Sequence, residues 1–232
     1  MHTILITGAN RGIGLELARQ YAADGWRVLA CCRNPEKADT LSKLATEHPD
    51  SVLIHALDVA DLEQIGNLAE LLANESIDVL INNAGYYPDS DSKGFGHIDC
   101  DEWAQAFKVN TMAPLKMAEA FVSNVARSEF KIIATLSSKM GSVADNTSGG
   151  SYQYRSSKAA VNMVNKNLSL DLKDQGIATV VLHPGWVQTD MGGPNALITV
   201  EQSVSGLRQV IGKLTQADSG KFFSYDGQEI AW

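Results

Sequence analysis

The chain has 232 residues, of which 44% are apolar and 20% charged, and its formal net charge is −8. That length allows one large α/β domain with a sizeable core. The acidic balance argues against a nucleic-acid surface or a polybasic membrane patch, although a few local arginines can still favour an anionic ligand.

The first apolar strand pattern covers 3–7 and runs into Thr7-Gly8-Ala9-Asn10-Arg11-Gly12-Ile13-Gly14, with a helical pattern over 12–24. Its start so near Met1 leaves no room for a signal peptide, and no apolar run is long enough to span a bilayer. A second strand at 27–32 places Cys31 and Cys32 on opposite faces and is followed by Arg33. With Cys100 the cysteines number three, which suggests no disulfide framework and fits a reducing cytoplasm. Helical 36–47 leads to a strand at 52–57, which ends in Asp58-Val59, and helical 61–73 leads to a strand at 77–82 that closes in Asn82-Asn83-Ala84-Gly85. A long helical pattern over 101–127 contains Pro114, and the strand at 130–136 passes into Ser137-Ser138. Helical 152–175 carries Tyr154 and Lys158, the strand at 178–183 ends at Pro184-Gly185, and a capping box at Thr199-Val200-Glu201-Gln202 opens helical 200–213 before a last strand at 221–224. The alternation predicts βαβ units in one domain over 1–232. Its fold class is α/β, a doubly wound parallel sheet of about seven strands (a Rossmann fold) with helices on both faces. Loops 85–100 and 139–151, rich in Gly, Ser, Asp and Pro, follow strand ends, where open α/β sheets bind ligands.

Several of these positions carry chemistry. Residues four apart share a helix face, so Tyr154 and Lys158 can point into one pocket, where an ammonium would favour the phenolate. Tyr152 is a rival phenol but has no lysine four residues on. Asn110 lies four residues before Pro114, which has no N–H for its carbonyl, so a kink and an ordered water are expected there. Glycines between the first strand and helix allow a tight turn and a backbone approach to phosphate at the helix N-terminus. The histidines form no ligand spacing with Cys or acidic residues, so no metal is expected, and His183 reads as structural.

Taken together, Thr7-Gly8-x-x-x-Gly12-x-Gly14, Asn82-Asn83-Ala84-Gly85, Ser138 and Tyr154-x-x-x-Lys158 resemble the short-chain dehydrogenase/reductase family almost from end to end. The ending Phe222-Phe223-Ser224-Tyr225-Asp226-Gly227 and Trp232 resembles its sniffer and C-factor-like carbonyl reductases. The resemblance implies Ser138, as the second serine of the pair, orienting a substrate carbonyl, with Ser137 as the less usual choice. Tyr154 would be the proton donor, with Lys158 lowering its pKa and binding the nicotinamide ribose. A water at Asn110 would relay protons. It further implies cofactor contacts from Gly8, Asn10, Arg11, Gly12, Ile13, Gly14, Asp58, Val59, Asn83, Ala84, Gly85, Pro184, Gly185, Val187 and Thr189.

Cofactor choice follows from charge. NAD-selective sites carry a carboxylate after the second strand, whereas here Cys32-Arg33 stands there with Arg11 on the same side, which favours a 2′-phosphate and hence NADP(H). The expected activity is NADPH-dependent reduction of a ketone, aldehyde or quinone-like carbonyl. The alternatives are an NADP(H)-binding sensor without relevant turnover and an NADP-linked alcohol dehydrogenase. Tyr86, Tyr87, Phe95 and Trp186 are candidates for the pocket wall or for a subunit interface, and a homodimer or homotetramer is a family expectation.

Overall fold

The computed structural model describes residues 1–88 and 94–232, so part of the 85–100 loop lies outside the described residues. Seven strands form one parallel sheet: β1 (Thr3–Thr7), β2 (Arg27–Cys32), β3 (Val52–Ala56), β4 (Val79–Asn82), β5 (Ile132–Leu136), β6 (Ala178–His183) and β7 (Phe222–Ser224). Their order is β3-β2-β1-β4-β5-β6-β7. The central strands read as continuous apolar runs because helices bury both faces. Ile4 and Ile6 of β1 join Leu17, Leu41 and Leu207, from helices α1 (Gly12–Ala23), α2 (Asp39–Glu47) and α7 (Val200–Ile211). Leu5 faces the other way, towards Leu68, Phe121 and Leu168 of α3 (Leu62–Leu71), α5 (Ala113–Ala126) and α6 (Tyr152–Asp171).

From β1 the chain winds outward to β3, then returns to place β4 on the other side of β1. Ligands bind at such a switch point, outside the carboxyl ends of the strands. The glycine turn after β1 and Asn83 after β4 both lie there.

The expected 101–127 helix is broken. Helix α4 (Cys100–Phe107) ends in a π-turn, Lys108–Met112, before α5 begins. Ala113 N–H reaches back five residues to the Lys108 carbonyl, and Pro114 has no N–H for Asn110. The strands predicted at 77–82 and 130–136 start two residues later, at Val79 and Ile132. Asp78 lies beside both starts. Its carboxylate accepts the Thr3 N–H (2.8 Å) and the Glu129 N–H (3.2 Å), so those N–H groups bond a side chain, not a ladder partner, and Lys131 beside them has φ +55°. No helix of the described residues is long and apolar enough to cross a membrane.

Candidate active site

The cofactor side is built around Thr7, a residue that sequence reading passed over except as part of the glycine motif. Its hydroxyl oxygen accepts the N–H groups of Asn83 and Ala84, both at 3.0 Å, which fixes the end of β4 against that of β1. The Asn83 amide donates to the carbonyls of Thr7 (2.8 Å) and Gly8 (3.0 Å). The Asn83 side chain therefore holds the turn. Gly14 is required for a related reason, since a Cβ there would collide with the Gly8 carbonyl oxygen. Gly8 and Gly12 have φ of +67° and +54°, conformations that favour glycine.

Helix α1 starts at this turn without a side-chain cap and without an acid in its first turn. Its first N–H groups, around Ile13, are left for an anion, and the dipole favours one. The residues present therefore fit a dinucleotide pyrophosphate. Asn10 and Arg11 flank the turn and are exposed.

Arg11 does not stand free as the sequence suggested. Its guanidinium pairs with Asp190, in the loop after β6. Arg33 is exposed just past β2 and has no ion pair among the described residues. Asp58 accepts the Ala60 N–H at 2.9 Å, while Asp61 caps α3 through Glu63 and Gln64. The helix-capping role is thus Asp61's, and Asp58 with buried Val59 stays at the end of β3.

At the reaction end, Tyr154 is 9% exposed and Tyr152 42%, which separates the two phenols. Ser138 Oγ accepts the Met140 N–H at 3.1 Å, and the Ser138 side chain is near enough to the Tyr154 phenol to act on its pKa. Ser137 instead points at the Lys158 carbonyl (3.4 Å). Burial pushes the Tyr154 phenol up to about 12, with Ser138 opposing the rise and Tyr87 adding to it. Lys158 Nζ lies 5.7 Å from the centre of the Tyr154 ring and donates to the Leu136 carbonyl at 2.9 Å. Burial pushes this ammonium down to about 8. Desolvation is the largest effect on both groups.

Asn110 is buried and ties three elements together. Its amide donates to the Tyr86 carbonyl (2.7 Å) and to Ser157 Oγ (3.0 Å), and its Oδ1 accepts the Tyr86 N–H (2.7 Å). The side chain thus holds the loop after β4 against α6. Gly85 sits between these groups, and a Cβ there would lie 3.6 Å from Asn110 Oδ1 and 3.9 Å from Lys158 Nζ.

After β6, Gly185 has φ +88° and faces Ile198 and Tyr225. Val187, just past Pro184-Gly185, pairs with Ile198, and the Thr189 hydroxyl accepts the Gly192 N–H at 3.1 Å. His183 Nδ1 accepts the Lys139 N–H at 3.3 Å, and burial pushes its pKa down to about 4, in keeping with a structural role.

Among the loop aromatics the structure discriminates. The Tyr86 phenol bonds Glu102 of α4, Trp186 Nε1 donates to the Gly192 carbonyl and Phe95 is exposed. Only Tyr87 packs on the reaction centre, with its ring 4.7 Å from that of Tyr154. Ser157 is a residue of the site that sequence reading left unassigned, whereas Tyr87 was one of four aromatics that the sequence offered without ranking.

Comparison with known proteins agrees with this geometry. The family model described as short chain dehydrogenase matches residues 2–197. The C-signal of Myxococcus xanthus is 44% identical over 156 residues, 67% of this chain and 93% of that protein. An NADPH-bound carbonyl reductase from chicken fatty liver superposes with a TM-score of 0.92 at 35% identity, covering 100% of this chain and 99% of that one. Carbonyl reductase Sniffer of D. melanogaster gives the same TM-score and identity over 100% of both chains. The chain belongs to the short-chain dehydrogenase family and is an oxidoreductase of that kind.

Proposed function

We propose that this protein is an NADP(H)-dependent carbonyl reductase that converts a ketone, aldehyde or quinone-like carbonyl to an alcohol. The observation that carries the reading is a buried Tyr154 phenol with Lys158 Nζ 5.7 Å from its ring and Ser138 acting on its pKa, in a fold whose α1 opens without a side-chain cap. The residues fit NADP(H), which supplies the hydride when bound. The Ser138 hydroxyl holds and polarises the substrate oxygen. Tyr154 keeps its proton at neutral pH because its pKa is about 12, and it donates that proton as the oxygen gains charge. Lys158, at about 8, exchanges protons readily near neutrality and is placed to re-supply the phenol. Its buried ammonium has one acceptor among the described residues, Leu136, and ribose hydroxyls are suitable further partners. Gly8, Gly12, Ile13 and Gly14 would hold the pyrophosphate, and Asn10, Arg11 and Arg33 would serve the adenosine phosphate. Asp58 and Val59 would serve the adenine, Ala84 and Gly85 the nicotinamide ribose, and Pro184, Gly185, Val187 and Thr189 the carboxamide. Tyr87 forms one wall of the substrate pocket. The same reading makes the enzyme cytoplasmic and a homodimer or homotetramer assembled through the helical stretches 101–127 and 152–175.

The likeness to C-signal supports a second reading, a cofactor-binding sensor. Against it stands the complete Ser138, Tyr154 and Lys158 set, which a sensor does not need. The deciding experiment follows NADPH oxidation with a panel of aldehydes, diketones and quinones, beside Tyr154→Phe. Turnover that falls by at least about 100-fold in the variant, with NADPH still bound, is expected of a reductase. Tight NADPH binding without turnover on any substrate would favour the sensor.

A further inference from the structure

The loop from Ser138 to Tyr154 is held from two sides, and the reaction centre accounts for only one of them. On the α6 side, Arg155 donates to the carbonyls of Met140 (3.3 Å) and Gly149 (3.2 Å) and to Ser148 Oγ (2.9 Å). Asn162 donates to the Gly141 carbonyl at 3.2 Å. Gly141 itself lies so close to Lys158 that a Cβ would sit 2.8 Å from its backbone.

The other side is held by the last residues of the chain. Past β7 the backbone turns back on itself: Ser224 N–H donates to the Gln228 carbonyl (2.8 Å) and Ile230 N–H to the Phe222 carbonyl (2.7 Å). Ala231 and Trp232 then leave this hairpin and cross to the catalytic loop. The Ala231 carbonyl accepts Ser142 Oγ at 2.6 Å and the Trp232 carbonyl accepts the Ala144 N–H at 3.0 Å. The Trp232 ring stacks on fully buried Phe222, with centroids 5.7 Å apart and planes inclined by 24°.

We propose that Ile230–Ala231–Trp232 is a positioning strap that sets the Ser138 loop relative to Tyr154. Ser138 reaches Ser142 through a single 3-10 turn, Lys139–Gly141, whose first N–H groups include the one that Ser138 Oγ accepts from Met140. Moving Ser142 therefore moves the hydroxyl that holds the substrate oxygen, whereas the glycine turn and the start of α1 lie outside the strap's contacts. The strap is a positioning element and touches no reacting atom. Catalysis is sensitive to displacements of about 1 Å, which can lower rates about 100-fold.

This inference rests on the assignment of Ser138 and Tyr154 as the reaction centre, and its test separates the two. Two variants are compared with the wild type, one lacking Ala231 and Trp232 and the other Trp232→Ala, with Trp232→Phe as the conservative control that keeps the stack. The first measurement, amide hydrogen exchange, needs no turnover. Exchange should rise across 139–151, including Ala144, with the central strands unchanged. In the second, kcat/KM for the carbonyl should fall by about 10-fold or more while the NADPH Kd stays within about two-fold, and Trp232→Phe should restore most of the rate. Unchanged exchange over 139–151 overturns the strap whatever the activity, and so does a parallel loss of NADPH binding, which marks a general structural role. If exchange rises and Tyr154→Phe proves as active as wild type, the strap stands and the reaction-centre assignment fails.

Discussion

The two edges of the sheet treat buried polar groups in opposite ways. At the amino-terminal edge, Asp78 spreads its carboxylate over the N–H groups of Thr3, Glu129 and Phe130. Around it the rings of His2, Trp26 and Phe130 pack within 4.7–5.7 Å of one another, and Tyr21 packs against Trp26. At the carboxy-terminal edge, among the described residues, Lys158 keeps a buried ammonium on one carbonyl, Asn82 Oδ1 has no partner and α1 opens without a side-chain cap. The first arrangement lowers the energy of the fold. The second leaves donors and a cation under-satisfied where a polar ligand supplies partners, so binding strength there comes at the expense of stability.

Lys158→Met breaks that contrast most sharply. Activity should fall by at least about 100-fold, in line with loss of a proton-handling group. Stability without NADPH should rise. The folded pKa is about 8 against an ordinary 10.5, a gap that corresponds to about 3 kcal/mol. The sign follows from proton counts. Between those values the unfolded chain binds a proton that the folded chain does not, so the folded state gains stability as pH rises through the window. Below about 8 the buried ammonium carries the full penalty. Loss of the Leu136 bond offsets about 1 kcal/mol, which leaves the variant about 2 kcal/mol more stable at pH 7. Urea unfolding of both proteins at neutral pH and at pH ~9.5 checks this, and the difference should shrink at the higher pH.

Asp78→Ala should do the reverse at the other edge. Two backbone N–H groups, those of Thr3 and Glu129, lose close partners, at about 1–3 kcal/mol for each that stays buried. A loss of about 3 kcal/mol corresponds to a fall in Tm of about 10 °C for a chain of this size. The NADPH Kd should stay the same, because no cofactor-side residue touches Asp78. Thermal unfolding and a cofactor titration on the same sample test both halves, and a weakened Kd would show that the two edges are coupled.

How much of this the sequence carried depends on how local each feature is. The strands were legible because runs such as Ile4-Leu5-Ile6 are apolar on both faces, and the helix break because Pro114 removes a particular N–H. The i, i+4 spacing brought Tyr154 and Lys158 together but carried no information on burial, and burial decides both pKa directions. Contacts between distant residues were invisible. Asn110 meets Tyr86 across 24 residues, and nothing in two adjacent tyrosines tells which turns inward until Glu102 takes the phenol of Tyr86. The bridge from Ser142 to Ala231 spans 89 residues and joins two loops with no shared motif.

The two arginines assigned to the 2′-phosphate sharpen the comparison within the ligand edge itself. Sequence alone gave Arg11 and Arg33 equal standing, but Arg11 is already paired with Asp190 and Arg33 is free of ion pairs among the described residues. A phosphate at Arg11 competes with Asp190 for the guanidinium. That exposed pair is worth up to about 1 kcal/mol, so Arg11's net contribution is reduced by about that much. Arg33 meets the phosphate with no competitor, and a guanidinium–phosphate pair is among the stronger charge-assisted contacts. Arg33→Asp should therefore weaken NADPH by about 10–100-fold and leave NADH nearly unchanged, whereas Arg11→Ala should weaken NADPH by only about 2–5-fold. Fluorescence titration with each cofactor separates these outcomes. Equal losses for NADPH and NADH in Arg33→Asp would mean that the cation serves the turn and not the phosphate, and the basis for preferring NADP(H) would then have to lie elsewhere in the cleft.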